Sequence, residues 1–134
     1  MNKRMKTNNF NINNAPDPVG AYPHAKKVGD FLFLSGIGSR KPSDNSIPDT
    51  FEDECHSVFK NVRTVIEESG AKWEDLVDIT VFLTHMDKDF ETFNSIYKKY
   101  FNDDDKPCRT TLEIKSLPTP ISIELKCIAY IGDR

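Results

Sequence analysis

The final stretch of the chain, Ile121-Ser122-Ile123-Glu124-Leu125-Lys126-Cys127-Ile128-Ala129-Tyr130-Ile131, alternates so regularly that it reads as a strand with one buried face. Ile121, Ile123, Leu125, Cys127, Ala129 and Ile131 point one way, and Glu124 shares the other face with Ser122, Lys126, Ile128 and Tyr130. Such a strand needs a sheet around it and an apolar layer over one side of that sheet. The preceding segment repeats the pattern more weakly, with Thr110, Leu112 and Ile114 of one parity and Arg109, Thr111, Glu113 and Lys115 of the other. Arg109 and Glu124 therefore both belong to the less apolar faces of their strands. A guanidinium fork suits a carboxylate ligand, and a carboxylate suits water positioning or proton transfer; the bland alternative is a surface or interface salt bridge.

The remaining elements follow from periodicity and punctuation. Ala21 to Val28 and Phe31 to Ser35 read as two strands joined at Gly29-Asp30, where Gly29 can supply the positive φ of a type II′ turn. From Ile37 to Pro48 the chain is rich in Gly, Pro, Ser and Asn, which marks a loop. A helix starts near Asp49 or Thr50, with Thr50 and Asp53 as a capping pair, carries Phe51, Cys55, Val58, Phe59, Val62, Val65 and Ile66 as its stripe, and closes at Gly70. Leu76 to Met86 is a strand with Val77, Ile79, Val81 and Leu83 on its apolar side. Asp87 is the expected N-cap of a second helix with Phe90, Phe93, Tyr97 and Tyr100 or Phe101 on one face, ending at an acidic turn, Asn102 to Lys106. The last two strands flank Pro118-Thr119-Pro120. The expected architecture is α+β: a single mixed β-sheet with two helices packed on one face, which leaves the other face to be covered by copies of the same chain.

Composition excludes several classes. At 134 residues the chain is one domain, and no apolar run approaches the ~18 residues that span a bilayer. The opening Met1-Asn2-Lys3-Arg4-Met5-Lys6 is basic without a following apolar region, so residues 1–13 are expected as a flexible N-terminal tail before a domain spanning 14–134. Three cysteines, Cys55, Cys108 and Cys127, with no CxxC pair argue against a disulfide framework or a zinc site and fit a cytoplasmic protein. A net charge of −3 with basic and acidic residues interleaved lacks the footprint of a nucleic-acid binder. Ser35-Gly36-Ile37-Gly38-Ser39 is neither a dinucleotide loop nor a nucleophile elbow. Glu52 and His56 can share a helix face as a solvated pair, and two side chains without a third ligand make a poor metal site. Cys108 points away from Arg109 and is expected to be a buried small hydrophobe.

Gly20-Ala21-Tyr22, Phe31-Leu32-Phe33-Leu34-Ser35-Gly36, Asp89-Phe90-Glu91-Thr92-Phe93-Asn94, Pro107-Cys108-Arg109-Thr110 and Ile123-Glu124 stand in the order and spacing of the reactive-intermediate deaminases, the RidA or YjgF family. The chain resembles that family from about Asn14 to Ile131. The resemblance implies a chorismate-mutase-like trimeric fold, a homotrimer with ligand sites between subunits, and hydrolysis of enamines and imines to ketones and ammonia with neither metal nor organic cofactor. Carried over by motif, Arg109 grips the substrate carboxylate and Glu124 holds or activates the attacking water. Tyr22, Ser35, Gly36 and Asn94 line the same cleft, and Thr111 stands where the family has its own cysteine. Within the family, Tyr22-Pro23-His24 and Ser39-Arg40-Lys41-Pro42 are most similar to the 2-aminomuconate deaminases. That substrate carries a carboxylate at each end, and Arg40, then His24, are the candidates for its second anchor; their bland readings are a solvated loop residue and a side chain satisfied by backbone. A trimeric carboxylate sensor or chaperone-like protein, and the ribonuclease or translation-inhibitor activity often attached to the family, are the alternatives. Were the last two strands a hairpin, Arg109 and Glu124 would lie ~17 Å apart at ~3.3 Å per residue, so either those strands are not direct partners or a neighbouring subunit supplies one group.

Overall fold

The computed structural model describes residues 7–102 and 104–132, and its elements run β1 (Thr7–Phe10), β2 (Ala25–Val28), β3 (Phe31–Leu34), β4 (Ile37–Gly38), α1 (Phe51–Glu68), β5 (Leu76–Leu83), α2 (Met86–Tyr100), β6 (Cys108–Glu113) and β7 (Ile123–Tyr130). Alternating apolar residues make β7 the centre of the sheet, whose order is β1-β2-β3-β7-β5-β6, with β4 also pairing with β7. All pairings are antiparallel except β5 with β6, whose parallel alignment needs the crossover that α2 provides. Gly29 has φ 57° and Asp30 does not share that sign, as the type II′ turn between β2 and β3 requires.

Thr50 caps α1: its hydroxyl accepts from the Asp53 amide at 3.1 Å, a contact worth ~1 kcal/mol. At the other end Gly70, with φ 91°, takes the left-handed turn that stops the helix. Cys55, Val58, Phe59, Val62, Val65 and Ile66 are fully buried against Leu32, Leu34, Ile79, Val81, Leu83, Ile123, Leu125 and Cys127. Phe59 stacks on Tyr100 at 4.4 Å and on Phe93 at 6.2 Å, joining the two helices. Each such side chain contributes ~1.5–3 kcal/mol of transfer free energy. Both helices lie on the same side of the sheet, so Phe31, Phe33 and Leu112 stand exposed on the other.

Five expectations need correction. Thr7–Phe10 form a strand on β2 where a flexible tail was expected; the segment has no apolar alternation, and its pairing rests on backbone bonds to a sheet edge. The loop after Ser35 begins with a short strand, because Ile37 and Gly38 pair with Leu125 and Glu124. Val77 is 40% exposed: a bulge between Leu76 and Asp78 breaks the alternation just there. α2 begins at Met86 with His85 at its cap position and Asp87 in its first turn, because the Met86 amide donates to Glu113 at 2.9 Å and this carboxylate from β6 does the work of a cap. Cys108 is exposed, since β6 is an edge strand and its face away from the helices has no cover. Of the acidic turn, Asp103 lies outside the described residues, as do residues 1–6 of the basic opening. Among the described residues no helix is long and apolar enough to cross a membrane.

Candidate functional site

An open cleft lies where β3 ends, and its lining includes Tyr22, His24, Ser35, Gly36, Arg40 and Glu124. Glu124 enters it because the β7 alternation that buries Ile123 and Leu125 turns Glu124 to the face away from the helices. Its carboxyl lies against the backbone of Gly36, so close that a Cβ on residue 36 would sit 2.5 Å from Oε2. Burial pushes the Glu124 carboxyl above the ordinary carboxylate range, with no charged neighbour contributing to the shift. A desolvated acid in a cleft, against bare backbone, is a group suited to holding and activating water.

The other polar groups of the cleft hold its walls. Ser35 Oγ donates to the Pro23 carbonyl at 2.7 Å, and the Val19 amide donates to the Tyr22 hydroxyl at 3.2 Å. Both His24 ring nitrogens are taken by backbone: the Ile12 amide donates to Nδ1 at 2.9 Å and Nε2 lies 2.7 Å from the Pro16 carbonyl. Both ring nitrogens of His24 are thus committed to backbone. Arg40 donates to the Asp17 carbonyl and has no carboxylate within 4.0 Å among the described residues. Its guanidinium keeps donors free for an anion.

Sequence reasoning missed the supports of this cleft. The buried Glu54 Oε1 accepts from Ser39 Oγ at 2.7 Å and from the Ser122 amide at 2.8 Å, while Asn61 Nδ2 donates to the Gly38 and Arg40 carbonyls at 2.9 and 2.8 Å. The signal was present, since Glu54 and Asn61 interrupt the apolar stripe of α1. The wall formed by Pro16, Asp17, Pro18 and Val19, with Pro118 and Thr119 opposite, was also unforeseen. Paired prolines mark both segments as irregular backbone.

Arg109, Asn94 and Thr111 do not line the cleft. In the parallel register Arg109 aligns with the buried Ile79 and Thr111 with the buried Val81, so both face the helices, opposite to Glu124. The Arg109 guanidinium lies 4.7 Å from the Tyr97 ring centre and 5.2 Å from that of Phe93, and Asn94, next in sequence to Phe93, is half-buried. Like Arg40, it has no carboxylate within 4.0 Å among the described residues. Nor are the last two strands a hairpin: β5 lies between β6 and β7, and Arg109 aligns through Ile79 with Cys127, three residues from Glu124. Two strand spacings and three residues put their backbones ~14 Å apart, on opposite faces. His56 pairs with the Tyr100 hydroxyl at 2.7 Å rather than standing solvated beside Glu52. The thiols of Cys55 and Cys127 are inert by burial, which pushes that of Cys127 up to about 12.

Gly36 offers a direct test of the cleft geometry. Gly36→Ala adds a methyl where the Glu124 carboxyl lies, and the flexible glutamate must swing away. We expect a fold within ~1 kcal/mol of wild type by thermal melt, but ligand turnover or binding at the cleft reduced at least ~10-fold. Unchanged function would show that the carboxyl position is irrelevant.

Comparison with known proteins agrees with this architecture. Residues 12–131 match the family profile described as Endoribonuclease L-PSP. The chain is 38% identical over 116 residues to a RutC family protein of Aquifex aeolicus, covering 86% of this chain and 92% of that one. It is 33% identical over 119 residues to Protein HMF1 of Saccharomyces cerevisiae, covering 89% and 91%. Among solved structures, it superposes on RidA from a Psychrobacter species with a TM-score of 0.87 at 27% identity, covering 92% of this chain and 99% of that one. The YjgF gene product of E. coli gives 0.84 at 28% identity, covering 92% and 98%. With sequence match and fold in agreement over nearly the whole described chain, the protein belongs to the RidA/YjgF family, known also by its L-PSP description, and has that family's chorismate-mutase-like α+β fold.

Proposed function

We propose that this protein is a hydrolytic deaminase converting an imine or enamine of a carboxylic acid to the keto or enol product and ammonia. The observation that carries this reading is the desolvated Glu124 carboxyl against Gly36, in a cleft whose other polar groups are mostly committed to structure. Glu124 takes a proton from water as the water oxygen bonds to the imine carbon, and returns it to the nitrogen. The same carboxylate then takes the adduct's hydroxyl proton and passes it to the amine nitrogen, the C–N bond breaks with its electron pair going to nitrogen, the carbonyl forms and ammonia leaves. Because imines hydrolyse spontaneously, positioning and one proton-carrying group are enough. The reading requires no metal or organic cofactor.

The substrate carboxylate is gripped by Arg109, which has no carboxylate within 4.0 Å among the described residues and lies over the rings of Phe93 and Tyr97. Since Arg109 and Glu124 face opposite sides of one sheet, we assign them to one site by association: Arg109, with Asn94 and Thr111, comes from one copy and the Glu124 cleft from the next. The uncovered face bearing Phe31, Phe33 and Leu112, with rings of Phe31 and Tyr130 5.1 Å apart, is the surface on which copies would close as a homotrimer. Cytoplasmic residence suits three unpaired cysteines, one of them exposed.

The substrate we favour is 2-aminomuconate or a related 2-imino acid. Arg40, with no ion-pair partner at the cleft, suits the distal carboxylate of a dicarboxylate. Ammonia release above the uncatalysed rate should be followed with 2-aminomuconate and with 2-iminobutyrate generated in situ. Arg40→Ala is expected to lower the ratio of kcat/KM for the dicarboxylate to that for the monocarboxylate at least ~10-fold, the loss of one charge-assisted contact. An unchanged ratio removes the case for 2-aminomuconate. Ammonia release no faster than the uncatalysed rate with either compound would leave the carboxylate-sensor reading.

A further inference from the structure

The wall of the cleft that runs from Ile12 to Val19 has little backbone means of staying in place. Pro16 and Pro18 have no N–H to donate, and the segment lies outside every strand. Its attachments are instead made by side chains. The Asp17 amide donates to Asn45 Oδ1 at 3.2 Å, Asn45 Nδ2 donates to Asp17 Oδ2 at 3.3 Å, and Arg40 donates to the Asp17 carbonyl, all at the exposed side. Ile12 and Ala15 anchor the start of the segment in the core, and the buried polar attachment is His24, only 6% exposed.

His24 is fully committed. Its amide donates to the Phe10 carbonyl and its carbonyl accepts from the Ser35 amide, both at 3.0 Å, which fixes its backbone between β1 and the rim of the cleft. An amide can only donate, so Nδ1, facing the Ile12 N–H, carries no proton; a carbonyl can only accept, so Nε2, facing Pro16, carries one. One neutral tautomer satisfies both contacts. It ties together Ile12, which opens a turn closed by the Ala15 amide donating to the Ile12 carbonyl at 3.3 Å, and Pro16, the residue just after that turn.

We propose that His24 is a positioning residue: its Nε2–H tautomer latches the Ile12–Val19 strap as a wall of the cleft, and through that strap sets how tightly the cleft holds its ligand. His24 touches neither the reacting atoms nor the ligand's charge in this role. Its effect passes to the site through Pro16, Asp17, Pro18 and Val19, and through the Asp17 carbonyl to Arg40.

The proposal rests on the deaminase reading only for its kinetic arm, and the structural arm stands without it. His24→Phe keeps a planar ring and removes both contacts; His24→Gln keeps one donor and one acceptor on a flexible chain. Amide hydrogen exchange at Ile12 should quicken at least ~10-fold in His24→Phe, recover in part in His24→Gln, and remain unchanged at the buried α1 amides of Val58 and Val62 in both. With 2-ketobutyrate as probe, the dissociation constant should rise at least ~5-fold in His24→Phe, and KM for 2-iminobutyrate should rise while kcat stays within ~3-fold. Should His24→Phe not fold, the same comparison is made with His24→Asn, which keeps a group near Nδ1 and loses the reach to Pro16. Exchange at Ile12 unaltered by either variant overturns the latch. So does a loss of α1 protection in step with Ile12, which would make His24 a general stability residue. Wild-type protein without deaminase turnover, but with the Ile12 effect intact, would refute the functional reading and leave the latch standing.

Discussion

Replacing Glu124 by Gln is expected to lower kcat by ~10²-fold or more while affinity for a keto-acid product analogue stays near wild type. Gln has the size of Glu and can still orient water through its amide, so only the capacity to take and return a proton is lost. The pH profile gives a second readout with a definite sign. Because burial raises the Glu124 pKa, the carboxylate needed as base forms at a higher pH than an ordinary glutamate would require. The acid limb of kcat/KM should therefore lie above the usual carboxylate range in wild type, with activity falling as pH drops through it. In Glu124→Gln that limb should vanish. A variant that keeps wild-type kcat would transfer the chemistry elsewhere and favour a binding protein.

The same burial has a cost for folding. A carboxyl whose folded-state pKa is raised binds its proton more tightly folded than unfolded, so its contribution opposes stability as pH rises from the unfolded value through the folded one. Asp89, buried in the first turn of α2, is shifted the same way, first by desolvation and also by the nearby Glu54 charge, and its Oδ2 has no hydrogen-bond partner among the described residues. Asp89 thus opposes stability inside the helix layer as pH rises. Its neighbour Glu54 fixes Ser39 and Ser122, each next in sequence to a residue that lines the cleft.

Most of the fold could be read from periodicity because burial here follows it. The β7 alternation, the α1 stripe with its Thr50 cap and the Gly29 turn all decide local structure through one face or one φ angle. Periodicity failed where a neighbour in space set the outcome. The bulge at Val77 depends on how β5 meets β7, and the start of α2 depends on a carboxylate 27 residues away in β6. The strand β1, in a segment expected as a flexible tail, was invisible because Thr7–Phe10 contributes backbone bonds and hardly any apolar pattern. The site divides along the same line. Glu124, Gly36, Ser35, Tyr22 and Arg40 were found by strand parity and motif order, and they meet at one cleft. Parity placed Arg109 on the less apolar face of β6, which was correct for β6 taken alone. It could not say that in a parallel pair this face looks toward α2 while the polar face of β7 looks away.

That opposition yields the sharpest test of the shared site. If each site takes Arg109 from one copy and Glu124 from the next, then Arg109→Ala and Glu124→Ala proteins should each be nearly inactive alone, ~10²-fold or more below wild type. Mixed by co-expression or by denaturing and refolding together, they should regain activity. With subunits drawn at random, a site is intact when its Arg109 donor is the Glu124→Ala chain and its Glu124 donor is the Arg109→Ala chain, which happens in about a quarter of sites in a closed ring. Recovered kcat per chain should approach that fraction, KM should equal that of wild type, and light scattering should give about three times the 15.3 kDa chain mass. A double variant carrying both substitutions, mixed with wild type, is the control; its chain ruins each of the two sites it borders, so activity should fall faster than the wild-type fraction. No regained activity from single variants that assemble normally would mean that one chain supplies both groups. The helix-facing Arg109 would then have to swing off Phe93 and Tyr97 and around the edge strand β6 to reach the cleft.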